Sequence, residues 1–137
     1  MPHDPVKIEE TRSWFTKARD DLRAALVDME AEPPLLEDAL FHCQQAVEKA
    51  MKGFLTWHDQ PFRKTHSLTE VGVICSKLDP SVESILRMAA GLSEYATAYR
   101  YPGETAPPSQ KEAASARELA EAVLSQLLAR LPAEITS

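Results

Sequence analysis

The stretch Phe41-His-Cys-Gln-Gln-Ala-Val-Glu-Lys-Ala-Met-Lys-Gly-Phe-Leu55 decides the fold of this chain. It belongs to a longer segment in which apolar residues recur at alternating steps of four and three positions. This spacing is typical of one face of an α-helix that packs along most of its length. The apolar positions are Leu36, Leu40, Cys43, Val47, Ala50, Phe54 and Trp57. The segment therefore predicts a long and well-packed helix.

Proline and capping residues divide the rest of the chain into further helices. No segment has the alternating period of a strand flanked by hairpin signals. The sequence thus predicts an all-α, up-and-down helical bundle of four long helices and one short helix. A single domain over residues 1–137 is expected, with its core at about 10–131. The predicted helices are 11–30 before Pro33 and Pro34, 36–58 before Pro61, and a short helix from the capping pair Ser67 and Glu70 to Leu78. A fourth helix begins at Asp79 and Pro80, and the last begins at the capping pair Ser109 and Glu112.

Each predicted helix has an apolar face that should point into the bundle. These faces are Trp14, Ala18, Leu22, Ala25, Leu26 and Met29 in the first helix, Val82, Ile85, Leu86, Ala89, Leu92, Ala96 and Tyr99 in the fourth, and Ala113, Ala116, Ala120, Val123, Leu124, Leu127 and Leu131 in the last. Four large apolar residues lie off the faces, namely Phe15, Phe41, Met51 and Leu55. Such side chains on a small protein often mark an interface, so we expect a homodimer.

The net charge of -6 is unevenly distributed along the chain. Residues 41–77 carry five basic and three acidic side chains, whereas the parts before and after them are net acidic. The overall charge disfavours broad electrostatic binding to nucleic acid. It leaves open a small basic site on the second helix and the loop that follows it.

The composition also bears on location and cofactors. No apolar run approaches the roughly 20 residues that a membrane span requires, and residues 1–10 lack the apolar region of a signal peptide. We therefore expect no membrane association and a cytoplasmic protein, in which Cys43 and Cys75 are reduced thiols. Neither cysteine has a metal-ligand spacing, so we expect no zinc site and no cofactor.

The standard catalytic signatures are absent from the sequence. The adjacent acid pairs Asp20-Asp21 and Glu37-Asp38 project about 100° apart on a helix, so they cannot share a metal as residues four apart could. We expect them to be solvated surface charges.

The second helix carries a polar stripe, which we define as His42, Gln45, Lys49 and Lys52. Steps of three, four and three positions place an imidazole, an amide and two ammonium groups on one face of the helix. The stripe is the best candidate for a binding surface. A solvated helix face with i, i+4 support is the alternative.

Two other motifs are candidates for binding an anion. Lys64-Thr-His-Ser67 precedes a helix N-terminus, where N–H groups and the helix dipole attract negative charge. The alternative is that Thr65 or Ser67 only caps the helix. Tyr99-Arg-Tyr-Pro102 places an arginine between two rings, so it could hold a phosphate while a ring stacks on a base. The alternative is a helix-end cation between packing aromatics.

These motifs, in this order, resemble the HEPN domain family. The resemblance covers about residues 10–130. It implies an all-α up-and-down bundle that is usually dimeric. Many members associate with a minimal nucleotidyltransferase, and others are metal-independent ribonucleases, often toxins. The matching motifs are Trp14-x-x-x-Ala18-x-x-Asp21-Leu22-x-x-Ala25, Gln44-Gln-Ala-x-Glu-Lys-x-x-Lys52, Thr65-His-x-Leu68 and Arg100-Tyr-Pro102.

One departure concerns the ribonuclease members, which carry an arginine followed after four to six residues by a histidine. Arg100 matches the arginine, but no histidine follows it in the chain, and positions 105–107 hold Thr105, Ala106 and Pro107. The missing imidazole removes a general acid–base group, a contribution of roughly 10²–10⁴-fold in rate.

We therefore expect a non-catalytic, homodimeric subunit that binds a nucleotide or other anionic ligand and associates with a nucleotidyltransferase, in a toxin–antitoxin-like pair. No catalytic residue and no metal ligand is assigned. Two alternatives stay open: a ribonuclease toxin that uses Arg100 with a histidine from elsewhere, and an interaction module without a small ligand. The expected ligand-binding residues are Gln45, Lys49, Lys52, His66 and Arg100, with Tyr99 or Tyr101 as a stacking surface.

Overall fold

The computed structural model describes residues 3–94 in full, the backbone of residues 95 and 96, and residues 106–136. Within these ranges the chain is helical and contains no strand, which confirms the predicted all-α bundle. The helices are α1 (Pro5–Glu30), α2 (Leu36–Trp57), α3 (Leu68–Leu78), α4 (Glu83–Ala89), α5 (Gln110–Leu128) and α6 (Ala133–Thr136). Two 3₁₀ segments, Pro80–Val82 and Ala90–Ala96, flank α4.

The antiparallel pair of α1 and α2 forms the framework of the bundle, and α5 packs against both helices. The two helices approach closely at Gly53 of α2, because a Cβ atom there would lie 2.8 Å from Phe15 Cε2 and 2.9 Å from Trp14 Cβ. On α5, Arg117 Nε lies 3.5 Å from the carbonyl oxygen of Leu22 in α1. The short helix α3 and the 3₁₀ segment Ala90–Ala96 contact α2, and α4 packs against α3 and α5.

The first helix begins earlier than its apolar spacing predicts, at Pro5 instead of Thr11. The Asp4 side chain accepts a hydrogen bond from the backbone N–H of Val6, and Pro5 occupies the first turn. An aspartate followed by proline is a helix start because the carboxylate satisfies a free N–H and proline already has a helical φ angle.

The fourth predicted helix is not one regular helix. The α-helical turns end at Ala89, and the chain continues as the 3₁₀ segment through Gly91 to Ala96. Glycine disfavours a regular helix, and the Ser93 hydroxyl accepts a hydrogen bond from the N–H of Leu68 at the start of α3. The predicted continuation to Tyr99 lies outside the described residues.

The core contains the predicted faces of α2 and α5, from Leu40 to Trp57 and from Ala113 to Leu131. On α1 the prediction is partly wrong, because Leu26 is 37% exposed while Phe15 is fully buried. Met51 and Leu55 are also buried within the single chain. These three side chains therefore offer no surface for a dimer. Only Phe41, which is half-buried, remains of the four residues that led us to expect one. The homodimer stays a prediction.

No helix in the part of the chain that the structure describes is long and apolar enough to cross a membrane.

Candidate functional site

A first ionic cluster joins α1 to the polar stripe of α2. Asp21 of α1 is 7% exposed. Its Oδ2 atom lies 2.6 Å from Lys49 Nζ, and its Oδ1 atom lies 2.8 Å from His42 Nδ1. The expectation that Asp21 is a solvated surface charge is therefore wrong, because the packing of α1 on α2 buries the carboxylate and supplies both its partners.

A second ionic cluster lies where α2 meets the loop before α3. Glu48 is 3% exposed, and its Oε2 atom lies 3.1 Å from Nζ of Lys52, which is 6% exposed. Glu48 Oε1 lies 2.9 Å from Nδ1 of His66. The Lys52 ammonium also donates to the backbone carbonyl oxygen of Thr65 at 2.9 Å. The cluster therefore ties residues 65 and 66 of the loop to the side of α2.

Two glutamines extend the second cluster. Gln44 is fully buried, and its Nε2 atom lies 3.4 Å from both Glu48 Oε1 and the carbonyl oxygen of His66. Gln45 Nε2 donates to Gln44 Oε1 at 2.7 Å. Hydrogen bonds thus connect Gln45, on the half-buried polar stripe, through Gln44 to the buried Glu48.

Aromatic rings cover the buried ammonium of Lys52. Its Nζ atom lies 6.0 Å from the ring centroid of Trp14 and 5.8 Å from that of Phe62. The two rings meet edge to face, with centroids 6.1 Å apart. A cation over a ring face is stabilised by the ring quadrupole, so Trp14 and Phe62 stabilise the Lys52 ammonium in addition to its polar partners.

Buried ion pairs of this kind rarely add to stability, because desolvation offsets the attraction between the charges. A pair of apolar residues would fill the same volume at lower cost. The two clusters on one side of α2 are therefore candidates for a functional role rather than for a purely structural one.

The N-terminus of α3 uses its own side chains for capping. The Ser67 hydroxyl accepts from the N–H of Glu70, as the alternative interpretation of this motif predicted. The reciprocal bond of a capping box is not formed, because Ser67 N–H donates to Thr65 Oγ1 and the Glu70 carboxylate pairs with Arg63. With Leu68 N–H bound to Ser93, three of the N–H groups at this end already have partners within the chain.

The structure divides the expected binding residues into three groups. Lys49 and Lys52 are held in ion pairs with Asp21 and Glu48. His66 is exposed and Gln45 is half-buried, and both belong to the second cluster. The third group, Tyr99, Arg100 and Tyr101, lies outside the described residues.

Sequence reasoning missed the buried acids and amide that complete the site, namely Asp21, Gln44 and Glu48. A signal for two of them was present, because Gln44, Glu48 and Lys52 recur at steps of four and so share one helix face. Nothing local marks Asp21 as buried, since its partners belong to another helix.

The family model described as the HEPN domain matches residues 11–130. This chain belongs to the HEPN domain family. Among solved structures, this HEPN domain is similar to TT1696 from Thermus thermophilus, with 29% sequence identity and a TM-score of 0.69. The match covers 88% of this chain and 98% of TT1696. No curated protein matches the sequence. Both ionic clusters and the Arg100 motif lie within the HEPN match.

Proposed function

We propose that this HEPN domain is a non-catalytic subunit that binds the phosphate of a nucleotide, or another anionic group, through His66 and the residues around it. The observation that carries the proposal is the pair of Glu48 and His66. The His66 side chain is 78% exposed, yet its Nδ1 atom is held at 2.9 Å by a carboxylate that is 4% exposed.

The Glu48 contact directs the other ring nitrogen of His66 away from the cluster. A carboxylate accepts hydrogen bonds only, so Nδ1 carries the proton at this contact. The Nε2 atom is then free to meet a ligand, and it donates a hydrogen bond to an anion when the ring is protonated. Because the Lys52 bond to Thr65 fixes the adjacent backbone, the imidazole is preorganised, which lowers the entropic cost of binding.

The proposed residues have different roles. His66 and Gln45 contact the ligand, Arg100 binds its phosphate, and Tyr99 or Tyr101 stacks on its base. Lys49 and Lys52 act indirectly, because their ammonium groups already lie 2.6 Å and 3.1 Å from carboxylate oxygens. They hold the surface in place instead of neutralising the ligand.

The absence of a histidine after Arg100 supports binding rather than catalysis. Cleavage of RNA by its 2′-hydroxyl requires proton transfer as well as stabilisation of charge. Arg100 can stabilise the charge but does not supply the proton transfer. The family membership supports the remaining parts of the proposal, which are a homodimer and association with a nucleotidyltransferase in a toxin–antitoxin-like pair.

Titration calorimetry with ATP, ADP and inorganic phosphate tests the proposal. We expect His66→Ala and Arg100→Ala each to weaken binding by at least tenfold. The matched controls His3→Ala and Arg87→Ala, which remove a histidine and an arginine elsewhere, should bind as the wild type does. Equal affinity in all four variants, or no binding by the wild type, would refute the anion site.

A second candidate function, ribonuclease activity, is favoured by the same Glu48–His66 contact. A carboxylate that orients an imidazole is an arrangement that general acid–base catalysis uses. Incubation of the purified protein with single-stranded RNA and tRNA in EDTA decides between the two functions. Cleavage by the wild type that is lost in both Arg100→Ala and His66→Ala would establish the ribonuclease. Nucleotide binding without cleavage would establish the binding subunit.

A further inference from the structure

Three electron-pair donors converge at the end of the bundle where α1 turns into α2. Ligand atoms of Asp28, Asp38 and His42 all lie within 4.8 Å of one another. Asp28 belongs to the last turns of α1, Asp38 to the first turn of α2, and His42 to the turn after it. The backbone bond from Leu35 N–H to the carbonyl oxygen of Asp28, at 2.8 Å, fixes the connection between the two helices.

The His42 ring is already oriented toward the two carboxylates. Its Nδ1 atom lies 2.8 Å from Asp21 Oδ1, so this nitrogen carries the proton. Its Nε2 atom lies 3.4 Å from Asp38 Oδ2. In the neutral ring, an unprotonated nitrogen therefore faces a carboxylate oxygen. A carboxylate behind a ligating imidazole is the usual second partner of histidine in metal sites, where it sets the tautomer and the ring orientation.

The Asp28 carboxylate provides an independent observation. Its Oδ2 atom is buried and has no hydrogen-bond partner. Two carboxylates that approach each other need a proton or a cation between them. A cation bound between Asp28 and Asp38 would also give the buried Asp28 Oδ2 atom a partner.

We propose that Asp28, Asp38 and His42 bind a divalent transition-metal cation of the Zn²⁺ type, and that Asp21 is the positioning residue behind His42. Imidazole and carboxylate together are ligands for Zn²⁺ and related ions, whereas Mg²⁺ prefers oxygen ligands alone. The inference does not depend on the proposed nucleotide site.

The charges at the site match a divalent ion. Lys49 neutralises Asp21, with 2.6 Å between the ammonium and the carboxylate. As metal ligands, Asp28 and Asp38 would supply two negative charges and the imidazole of His42 none. Three protein ligands leave at least one coordination position open. A groove of about 320 Å³ lies beside Asp38, which lines it together with Glu37 and prolines 34, 107 and 108.

The test uses the full-length protein without a histidine tag, stripped with EDTA and exchanged into a buffer that does not chelate metals. Calorimetric titration with ZnCl₂ and MgCl₂ measures affinity, and thermal unfolding with each metal measures the linked stabilisation. We expect one Zn²⁺ per chain and weaker binding of Mg²⁺. Asp38→Asn should weaken Zn²⁺ binding by at least tenfold, and Asp21→Asn by 10- to 100-fold. Since Asp38 is 55% exposed, its variant should fold normally.

Glu37→Gln is the matched control, because it removes an exposed carboxylate from the same helical turn without touching the cluster. It should bind Zn²⁺ as the wild type does. The proposal is overturned if the wild type binds no Zn²⁺, if Asp38→Asn binds it as tightly as Glu37→Gln, or if Mg²⁺ binds equally well. A loss of binding in His3→Ala alone would place the ion near Glu134 and would also overturn it.

Discussion

The Lys52 ammonium lies 2.9 Å from the backbone carbonyl oxygen of Thr65, thirteen residues further along the chain. A side chain from the C-terminal part of α2 thus holds the loop that precedes α3. The same ammonium is paired with Glu48, so one buried cation serves both a carboxylate and the loop backbone. A change that breaks the Lys52–Glu48 ion pair should therefore also release the loop at Thr65.

Replacement of Lys52 by methionine should destabilise the fold by about 3–5 kcal/mol, because it leaves the Glu48 carboxylate buried without its cation. Urea unfolding followed by circular dichroism measures the change. Lys111→Met, at an exposed position in α5, is the control and should stay within about 0.5 kcal/mol of the wild type. Adding Glu48→Gln to Lys52→Met should restore part of the loss. No recovery in the double variant would contradict the ion-pair explanation.

Gly53→Ala should destabilise the bundle by about 1–3 kcal/mol, since the added methyl group would overlap Phe15 Cε2 and Trp14 Cβ and force α1 away from α2. Gly91→Ala is the matched control, because a Cβ atom there meets nothing within 4 Å. The control should be neutral or slightly stabilising. Equal thermal unfolding midpoints for the two variants would show that α1 and α2 are not in close contact at Gly53.

Both cysteines should be unreactive in the native protein. Burial raises the pKa of the Cys43 and Cys75 thiols to about 12, and the thiolate is the reactive form. Titration with a disulfide reagent at mildly alkaline pH should detect almost no fast reaction in the folded protein and both thiols in guanidinium chloride. A fast phase corresponding to one thiol in the folded state would be incompatible with the observed burial.

The contribution of Asp79 to stability should depend on pH. Hydrogen bonds from Ser81 hold the pKa of the Asp79 carboxyl group below its usual value of 3.8. When the pKa of a carboxyl group is lower in the folded state than in the unfolded state, the group stabilises the folded state at pH values above its unfolded pKa. This contribution is lost as the pH falls through the folded-state pKa.

Asp79→Ala should therefore cost about 1 kcal/mol at neutral pH. The difference from the wild type should shrink below about pH 4, the unfolded pKa of aspartate. Asp79→Asn keeps an oxygen that accepts from Ser81 but does not titrate, so it should retain most of the stability at neutral pH. Urea unfolding at several pH values provides the comparison. If the difference in unfolding free energy between wild type and Asp79→Ala grew toward low pH, the ionised Asp79 carboxylate would not be the form that stabilises the fold.

The regular part of the fold could be predicted from sequence because its signals are local. The seam of α2 and the capping box of Ser109 with Glu112 depend on residues a few positions apart, and both are observed. The start of α1 could have been predicted too, since Asp4-Pro5 repeats the Asp79-Pro80 signal. The irregular end of α4 could not, because it involves the bond between Ser93 and Leu68, which only the tertiary structure creates.

Only the α2 residues of the candidate site could be predicted from the sequence. The spacing of His42, Lys49 and Lys52 placed an imidazole and two ammonium groups on α2. Asp21, the partner of His42 and Lys49, depends instead on the register of α1 against α2. The acids of the proposed metal site were missed for the same reason. Asp28 and Asp38 lie on different helices, and a search for ligands four residues apart on one helix does not pair them.

The hydrogen bond from Arg117 to the Leu22 carbonyl joins residues 95 positions apart. During synthesis, α1 and α2 emerge early and can form their hairpin, but the face that they share with α5 has no cover yet. At about 5–20 residues per second, a ribosome needs roughly 3–12 s to translate the segment from the end of α2 to Arg117. The apolar surface of the nascent hairpin is open to water, and to chaperones, for that time, so the bundle closes only after α5 has been synthesised.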